Sequence, residues 1–107
     1  MTYEEIVYKV RQAYENADAR EIFEHIAIQV NIVGEGAGAF YVEVANREVC
    51  VEPYDYYDRD GLFTVDADTL IAICEDRLTV FEAMEQGRLK VEGNPWKLKL
   101  LNKIKKK

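Results

Sequence analysis

Few side chains in this sequence could act as nucleophiles or hold a metal ion. The chain of 107 residues contains two cysteines, Cys50 and Cys74, a single histidine, His25, and no serine. A serine nucleophile is therefore excluded, and one histidine cannot build a multi-histidine metal site. A Cys–His pair stays formally possible, but both cysteines fall among inward-pointing apolar residues, which predicts buried, poorly reactive thiols. The sequence predicts no catalytic residue, no metal site and no cofactor, with His25 at a surface turn.

Two polar loops resemble known ligand-binding loops but lack essential parts. The three glycines of residues 34–38 could suggest a phosphate-binding loop, yet a strand pattern follows where that loop needs a helix start. Residues 54–61 place Asp58 and Asp60 as a calcium loop would, but the first acidic ligand and the final glutamate are missing. A hairpin turn and a solvated turn are the simpler predictions. The clustered tyrosines of the second loop are typical of a pocket mouth or an interface.

Charge is distributed unevenly along the chain. Residues 1–96 carry 8 of the 14 basic and all 20 acidic residues, whereas residues 97–107 hold the other six basic residues, all lysine. An acidic body repels phosphate backbones, so we expect no nucleic-acid partner. The lysine-rich tail is predicted to be a solvated face, to dock on the acidic body, or to make transient contact with an anionic membrane.

Length and composition predict a single domain over residues 1–107. A chain of this size with 49% hydrophobic residues can build one core. No apolar run approaches the roughly eighteen residues of a membrane span. The acidic first residues lack the pattern of a secretion signal, so a cytoplasmic location is expected.

Apolar periodicity predicts helices at both ends of the chain and strands between them. Alternation predicts five short strands, at residues 26–32, 40–45, 49–51, 63–65 and 88–92. Helical spacing and capping residues predict helices over 3–17, from Asp18 to about His25, from Asp68, from Thr79, and from Pro95 to about Lys105. The first four strands are predicted to form a meander, and therefore a largely antiparallel sheet with one apolar face.

Several segments together match a known pattern. Residues 87–94, Gly-Arg-Leu-Lys-Val-Glu-Gly-Asn, are similar to a glycine–basic–Leu–Lys–apolar–x–Gly–Asp signature, and the short apolar helix at 80–84 precedes them. Residues 62–65 followed by 68–70 match a strand-then-helix step, and 40–44 match a second strand. In this order and from about Ile26 onward, the sequence resembles the sterol carrier protein type 2 family of lipid-binding domains. It departs from that family at Glu75-Asp76-Arg77, at Asn94 and in its lysine ending.

The resemblance implies an α+β fold: a five-stranded, mostly antiparallel sheet with helices packed on one face and an apolar tunnel between them. It also implies non-catalytic binding and transfer of a lipid or other apolar small molecule, such as a fatty acyl chain or a sterol. The closing helix is the predicted movable lid. The predicted ligand-binding residues are Val42, Val44, Leu70, Ile73, Phe81, Met84, Trp96, Leu100, Leu101 and Ile104. The alternative is an interaction or dimerisation module with the same fold and a filled tunnel.

Overall fold

A computed structural model describes residues 1–15 and 17–105 of the chain, without the side chain of Asn102. Lys106 and Lys107 of the predicted basic tail therefore lie outside the described residues, as does Asn16 of the predicted first helix. The helices are α1 (Tyr3–Tyr14), α2 (Ala67–Cys74), α3 (Val80–Glu85) and α4 (Pro95–Leu100), followed by a 3-10 turn at Leu101–Lys103. The strands are β1 (Ile26–Val33), β2 (Gly38–Ala45), β3 (Glu48–Glu52), β4 (Gly61–Asp66) and β5 (Leu89–Gly93).

The five strands form one sheet in the order β3-β2-β1-β4-β5. Three of its pairings are antiparallel, and β1 pairs with β4 in parallel. The predicted α+β class and mostly antiparallel sheet are confirmed. The predicted meander is wrong for β4, because residues 53–60 carry the chain past β2 and place β4 on the far side of β1.

The strand registers separate an apolar face of the sheet from a polar one. Ile28 lies level with Val42 and Gly61, and Val30 lies level with Phe40 and Phe63, all on the apolar face. Helix α1 packs Ile6, Val7 and Val10 into the same core, and α2 adds Leu70, Ile71 and Ile73. Glu43, Cys50 and Lys90 belong to the opposite, polar face.

Capping residues fix where the helices begin. The predicted helix starts at Thr2 and Thr79 are both capping boxes, in which each threonine hydroxyl accepts the N–H of a glutamate three residues later. Asn94 accepts the N–H groups of Trp96 and Lys97 ahead of the proline-started α4. The prediction for Asp68 is wrong, because α2 already begins at Ala67 after Asp66.

Helix α1 ends at Tyr14 and not at residue 17, and two further predicted helices are wrong in extent. The segment from Asp18 to His25 is not helical, and α4 ends at Leu100 instead of reaching Lys105. The reason is a shared backbone bridge, in which Asp18 and Lys105 each donate an N–H to the carbonyl of the other at 2.8 Å. Both segments must be extended at this point to pair. Among the described residues, no helix combines the length and apolar character needed to cross a bilayer.

Candidate functional site

The apolar face of the sheet is incompletely covered in its middle rows. Ile28, Val30 and Phe40 are fully buried, whereas Val42, Phe63 and Val91 pack against the core but remain partly exposed. Four more partly buried apolar residues follow β5, in α4 and the residues after it. We define the apolar seam as Val42, Phe63, Val91, Leu98, Leu100, Leu101 and Ile104. Three of its members belong to strands of the sheet, and four belong to the chain segment that closes the domain.

That closing segment, residues 95–105, is fixed to the sheet at its beginning by one lysine. The Nζ of Lys97 lies 3.0 Å from Oδ1 of Asp60 and 3.2 Å from the carbonyl oxygen of His25. Asp60 is itself held, because its Oδ2 accepts the N–H of Ala27 at 2.9 Å. This ion pair is largely shielded from water, with 29% of the Lys97 side chain and 19% of the Asp60 side chain exposed.

The far end of the closing segment is fixed by the bridge between Asp18 and Lys105. The Nζ of Lys105 also lies 3.5 Å from Oε2 of Glu21. Between these two attachments, α4 contains no fully buried residue. Leu98 approaches the sheet where Gly61 leaves space, since its Cδ2 would lie 2.8 Å from a β-carbon at that position. The closing segment is therefore a strap attached at both ends and only partly buried between them.

We expect Lys97→Met to loosen the beginning of this strap. The methionine keeps the apolar stem and removes the charge, so the Asp60 carboxylate loses its ion pair and keeps its bond to the N–H of Ala27. A partly shielded ion pair of this kind contributes about 1 kcal/mol to the free energy of local opening. Its loss therefore raises the population of the opened strap roughly fivefold. Amide hydrogen exchange of residues 95–105 measures it. Lys99→Met, on an exposed side chain of the same helix, is the matched control, and equal exchange in both variants would contradict the assignment.

The predicted ligand-binding residues fall into three groups. Four of them lie in the apolar seam: Val42, Leu100, Leu101 and Ile104. Val44, Leu70 and Ile73 are buried in the core. Phe81, Met84 and Trp96 were expected to line the tunnel, but they are 67%, 45% and 68% exposed and do not point into the core. Whether any of the ten contacts a ligand stays a prediction.

Helix geometry explains the exposed side chains of α3, and the shortness of α4 breaks the predicted apolar stripe. Because α4 is six residues long, Trp96, Leu100 and Ile104 do not share one continuous helical stripe. In α3, the fully buried residue is Ala83, which turns its neighbours toward solvent. Phe63, Val91 and Leu98 were not predicted as site residues. The first two could have been found, because each lies two residues from a buried residue of the same face, Val65 or Leu89.

The polar face carries a cluster of titratable side chains near the first residues of β1. His25 Nε2 lies 2.6 Å from Oε2 of Glu43, and the hydroxyl of Tyr56 donates to the same oxygen at 3.1 Å. The ring of Tyr56 packs edge-on against Tyr41 with centroids 4.9 Å apart. Its backbone N–H donates to the buried amide oxygen of Gln29 at 3.1 Å. The cluster holds the loop of residues 53–60 on the sheet.

The cysteines are placed differently from the prediction. Cys50 is exposed on the polar face and Cys74 is partly buried, so two buried thiols are not found. Partial desolvation, and then the carboxylates of Glu15 and three neighbouring glutamates, raise the pKa of Cys50 above its ordinary value. Glu43 lies directly opposite Cys50 in the β2–β3 pairing and is the partner of His25. This arrangement opposes formation of a thiolate, which a cysteine nucleophile requires.

Two tyrosines on the polar face should make the folded chain less stable at alkaline pH. Desolvation and nearby carboxylates raise the pKa of Tyr41 and Tyr56 above 10.0 in the folded chain. The unfolded chain therefore loses these protons first, and the free energy of unfolding falls as pH rises past about 10. Urea unfolding at pH 8 and above pH 10 measures the difference. A Tyr41→Phe/Tyr56→Phe variant should lose less stability over this interval, and an unchanged loss would contradict the prediction.

Two surface hollows lie at the other end of the sheet from α4. The larger, about 440 Å³, is lined mainly by polar residues, among them Thr64, Asp66 and Lys90, and the second is about 340 Å³. Both include Arg88, whose Nε donates to the hydroxyl of Thr69 at 3.0 Å. Charged side chains stand in both linings, Asp66 and Lys90 in the first and Asp68 and Arg77 in the second, and an alkyl chain would have to lie against them. We therefore take the apolar seam as the candidate site. Among the described residues, no group of three or more acidic, histidine or cysteine side chains could hold a metal ion.

Several solved structures have the same fold as this chain. The chain superposes on SCP2-like 2 from Aedes aegypti with a TM-score of 0.60 at 24% identity, covering 94% of this chain and 86% of that one. The palmitated form of SCP2L2 from the same mosquito gives 0.64 at 22% identity, covering 94% and 91%. The sec-alkylsulfatase Pisa1 from Pseudomonas sp. gives 0.69 at 15% identity, where 84% of this chain spans only 14% of the enzyme. The TM-scores establish a shared fold.

The sequence itself matches one protein family along nearly its whole length. No curated protein sequence matches the chain. The family match extends over residues 7–106, from the first turns of α1 through the closing strap. It therefore includes every strand of the sheet and every residue of the apolar seam. The chain belongs to the SCP-2 sterol transfer family.

Proposed function

We propose that this protein binds a lipid or another apolar small molecule in the apolar seam and transfers it, without catalysis. The observation that carries the proposal is the incomplete burial of seven apolar side chains, three on the sheet and four on a strap that is attached at both ends. Apolar side chains in the middle of a small domain are normally close-packed. Here an inserted alkyl chain would complete their burial.

The energetics of carriage suit a site of this kind. Removing a chain of about 16 methylenes from water gains roughly 13 kcal/mol at about 0.8 kcal/mol for each methylene. A bilayer already supplies most of that gain, so exchange between bilayer and protein is nearly balanced. A carrier then needs a dry apolar surface and a segment that can move. The seam provides the surface, and the strap is the segment that opens.

The ligand class is proposed from the family and from one relative. The family is described by sterol transfer, and SCP2L2 from Aedes aegypti was solved with palmitate. Both ligands are elongated and apolar with one polar end. Opening of the strap would give such a molecule access to Phe63, Val91 and Leu98. The space between these residues would then be the predicted tunnel. We place the protein in the cytoplasm, where its lysine-rich end, including the exposed Lys99 and Lys103, makes transient contact with anionic membranes.

A native mass spectrum of the purified protein tests the proposal. We expect a population heavier than the chain alone by the mass of a lipid, and added palmitate should convert the remainder. Displacement of a fluorescent fatty acid by palmitate provides a second readout. A single unliganded mass that added palmitate does not change, together with no uptake of the fluorescent acid, would contradict lipid carriage. That result would favour an interaction module whose seam is filled by its own side chains.

A further inference from the structure

The two edge strands of the sheet differ in how their backbone groups are bonded. At β3, side chains from α1 and the residue after it bond the backbone of Val51. Its N–H donates to Oε2 of Glu15 at 3.1 Å, and its carbonyl oxygen accepts Nε of Arg11 at 2.9 Å. Strand β5, at the other edge, pairs with β4 alone among the described residues. Because an edge strand presents a row of outward N–H and C=O groups, β5 can pair with a further strand.

The side chains of β5 restrict which strand could pair with it. Lys90 and Glu92 belong to the polar face of the sheet and are 71% and 54% exposed. Leu89 and Val91 alternate with them on the apolar face, where the first is buried and the second partly buried. Charges on an edge oppose pairing with an unrelated strand. A suitable strand must therefore place an acid opposite Lys90 and a base opposite Glu92.

A second copy of β5 meets this requirement in one register. If two copies pair antiparallel about a two-fold axis at Val91, Lys90 of each copy lies opposite Glu92 of the other. An axis at Lys90 or at Glu92 would instead place like charges opposite each other. An axis between two residues would set the apolar face of one sheet beside the polar face of the other. Charge and burial thus select the register that is centred on Val91.

We propose that two copies of this chain associate through β5 in this register and form one continuous sheet. The two apolar faces then lie on the same side of the dimer. Val91, which is partly exposed in the single chain, meets its own copy at the axis. Because Val91 belongs to the apolar seam, the two seams adjoin at this residue. The proposal does not depend on lipid carriage, since the pairing uses backbone groups and two exposed side chains.

Analytical ultracentrifugation of the full chain tests the proposal at concentrations up to about 1 mM, where even a weak dimer is populated. We expect the dimer fraction to rise with concentration. Lys90→Glu and Glu92→Lys should each weaken association about tenfold, because like charges then face each other twice. An equimolar mixture of these two variants should associate as the wild type does, because opposite charges face each other again. Lys99→Glu makes the same charge change at an exposed residue of α4 and should leave association unchanged.

Three results would overturn pairing through β5. The first is a wild-type chain that stays monomeric at about 1 mM. The second is association of Lys90→Glu that equals the wild type, or a loss that Lys99→Glu shares. The third is a mixture that does not associate, together with a monomeric Lys90→Glu/Glu92→Lys variant, in which the two charges are exchanged within each chain. Palmitate binding, measured on the same samples, tests lipid carriage separately, because a monomer keeps its own seam.

Discussion

Gly93→Ala is expected to lower the free energy of unfolding by about 3 kcal/mol. Gly93 ends β5 with a φ of +131°, a conformation that residues with a side chain rarely adopt. A β-carbon there would also collide with the carbonyl oxygen of Asp60 and lie 2.5 Å from Cα of Gly61. Both neighbours are backbone atoms, so neither can move aside cheaply. Urea unfolding followed by circular dichroism measures the change.

Gly87→Ala is the matched control for this effect. Gly87 also has a positive φ, +71°, but a β-carbon there would meet nothing within 4 Å. The control therefore measures the conformational cost alone, about 1 kcal/mol. The difference between the two variants measures the close approach of β5 to the residues that begin β4. Equal losses of stability would show that Asp60 and Gly61 do not constrain Gly93, and would contradict the structure at this point.

Leu98→Asn is expected to weaken palmitate binding roughly tenfold. The leucine side chain lies over Gly61 and close to Ile28, where the strap meets the middle of the apolar face. An amide at this position removes an apolar contact that contributes about 1.5 kcal/mol to the binding of an alkyl chain. It also introduces polar atoms that lose their water when the chain binds. Competition between palmitate and a fluorescent fatty acid gives the affinity of each variant.

Two further variants distinguish a lost ligand contact from a general loss of structure. Leu98→Met keeps apolar volume at the same position and should bind palmitate within about twofold of the wild type. Phe23→Ala removes an 81% exposed ring elsewhere on the surface, and it should have no effect on binding. If Leu98→Asn binds palmitate as well as the wild type while the strap remains ordered, the seam is not the ligand site.

The sequence predicts the strands and helix starts well because these depend on local patterns. Alternation from Ile26 to Ile32 needs no distant partner to indicate a half-buried strand, and the capping boxes at Thr2 and Thr79 involve residues three positions apart. The pairing of β4 with β1 was not predictable in this way. It depends on where the loop of residues 53–60 is held, and the contact of Tyr56 with Gln29 joins residues far apart in sequence.

The site was predicted in part for the same reason. Leu100, Leu101 and Ile104 could be identified as apolar residues of a closing segment, and the structure places them in the seam. The early end of α4 follows from the bridge between Asp18 and Lys105, which no local pattern indicates. Cys50 alternates with the buried Val49 and Val51, so its side chain belongs to the other face of the sheet. That alternation was available in the sequence and overlooked.

The central claim is that an alkyl chain occupies the space between the sheet and the strap. Intermolecular nuclear Overhauser effects between unlabelled palmitate and the ¹³C-labelled protein test it most directly. We expect contacts from the methylene protons of palmitate to Phe63, Val91 and Leu98, with slower amide exchange in residues 95–105 on binding. Contacts confined to the exposed Phe81, Met84 and Trp96, or to the hollow around Arg88, would contradict the claim.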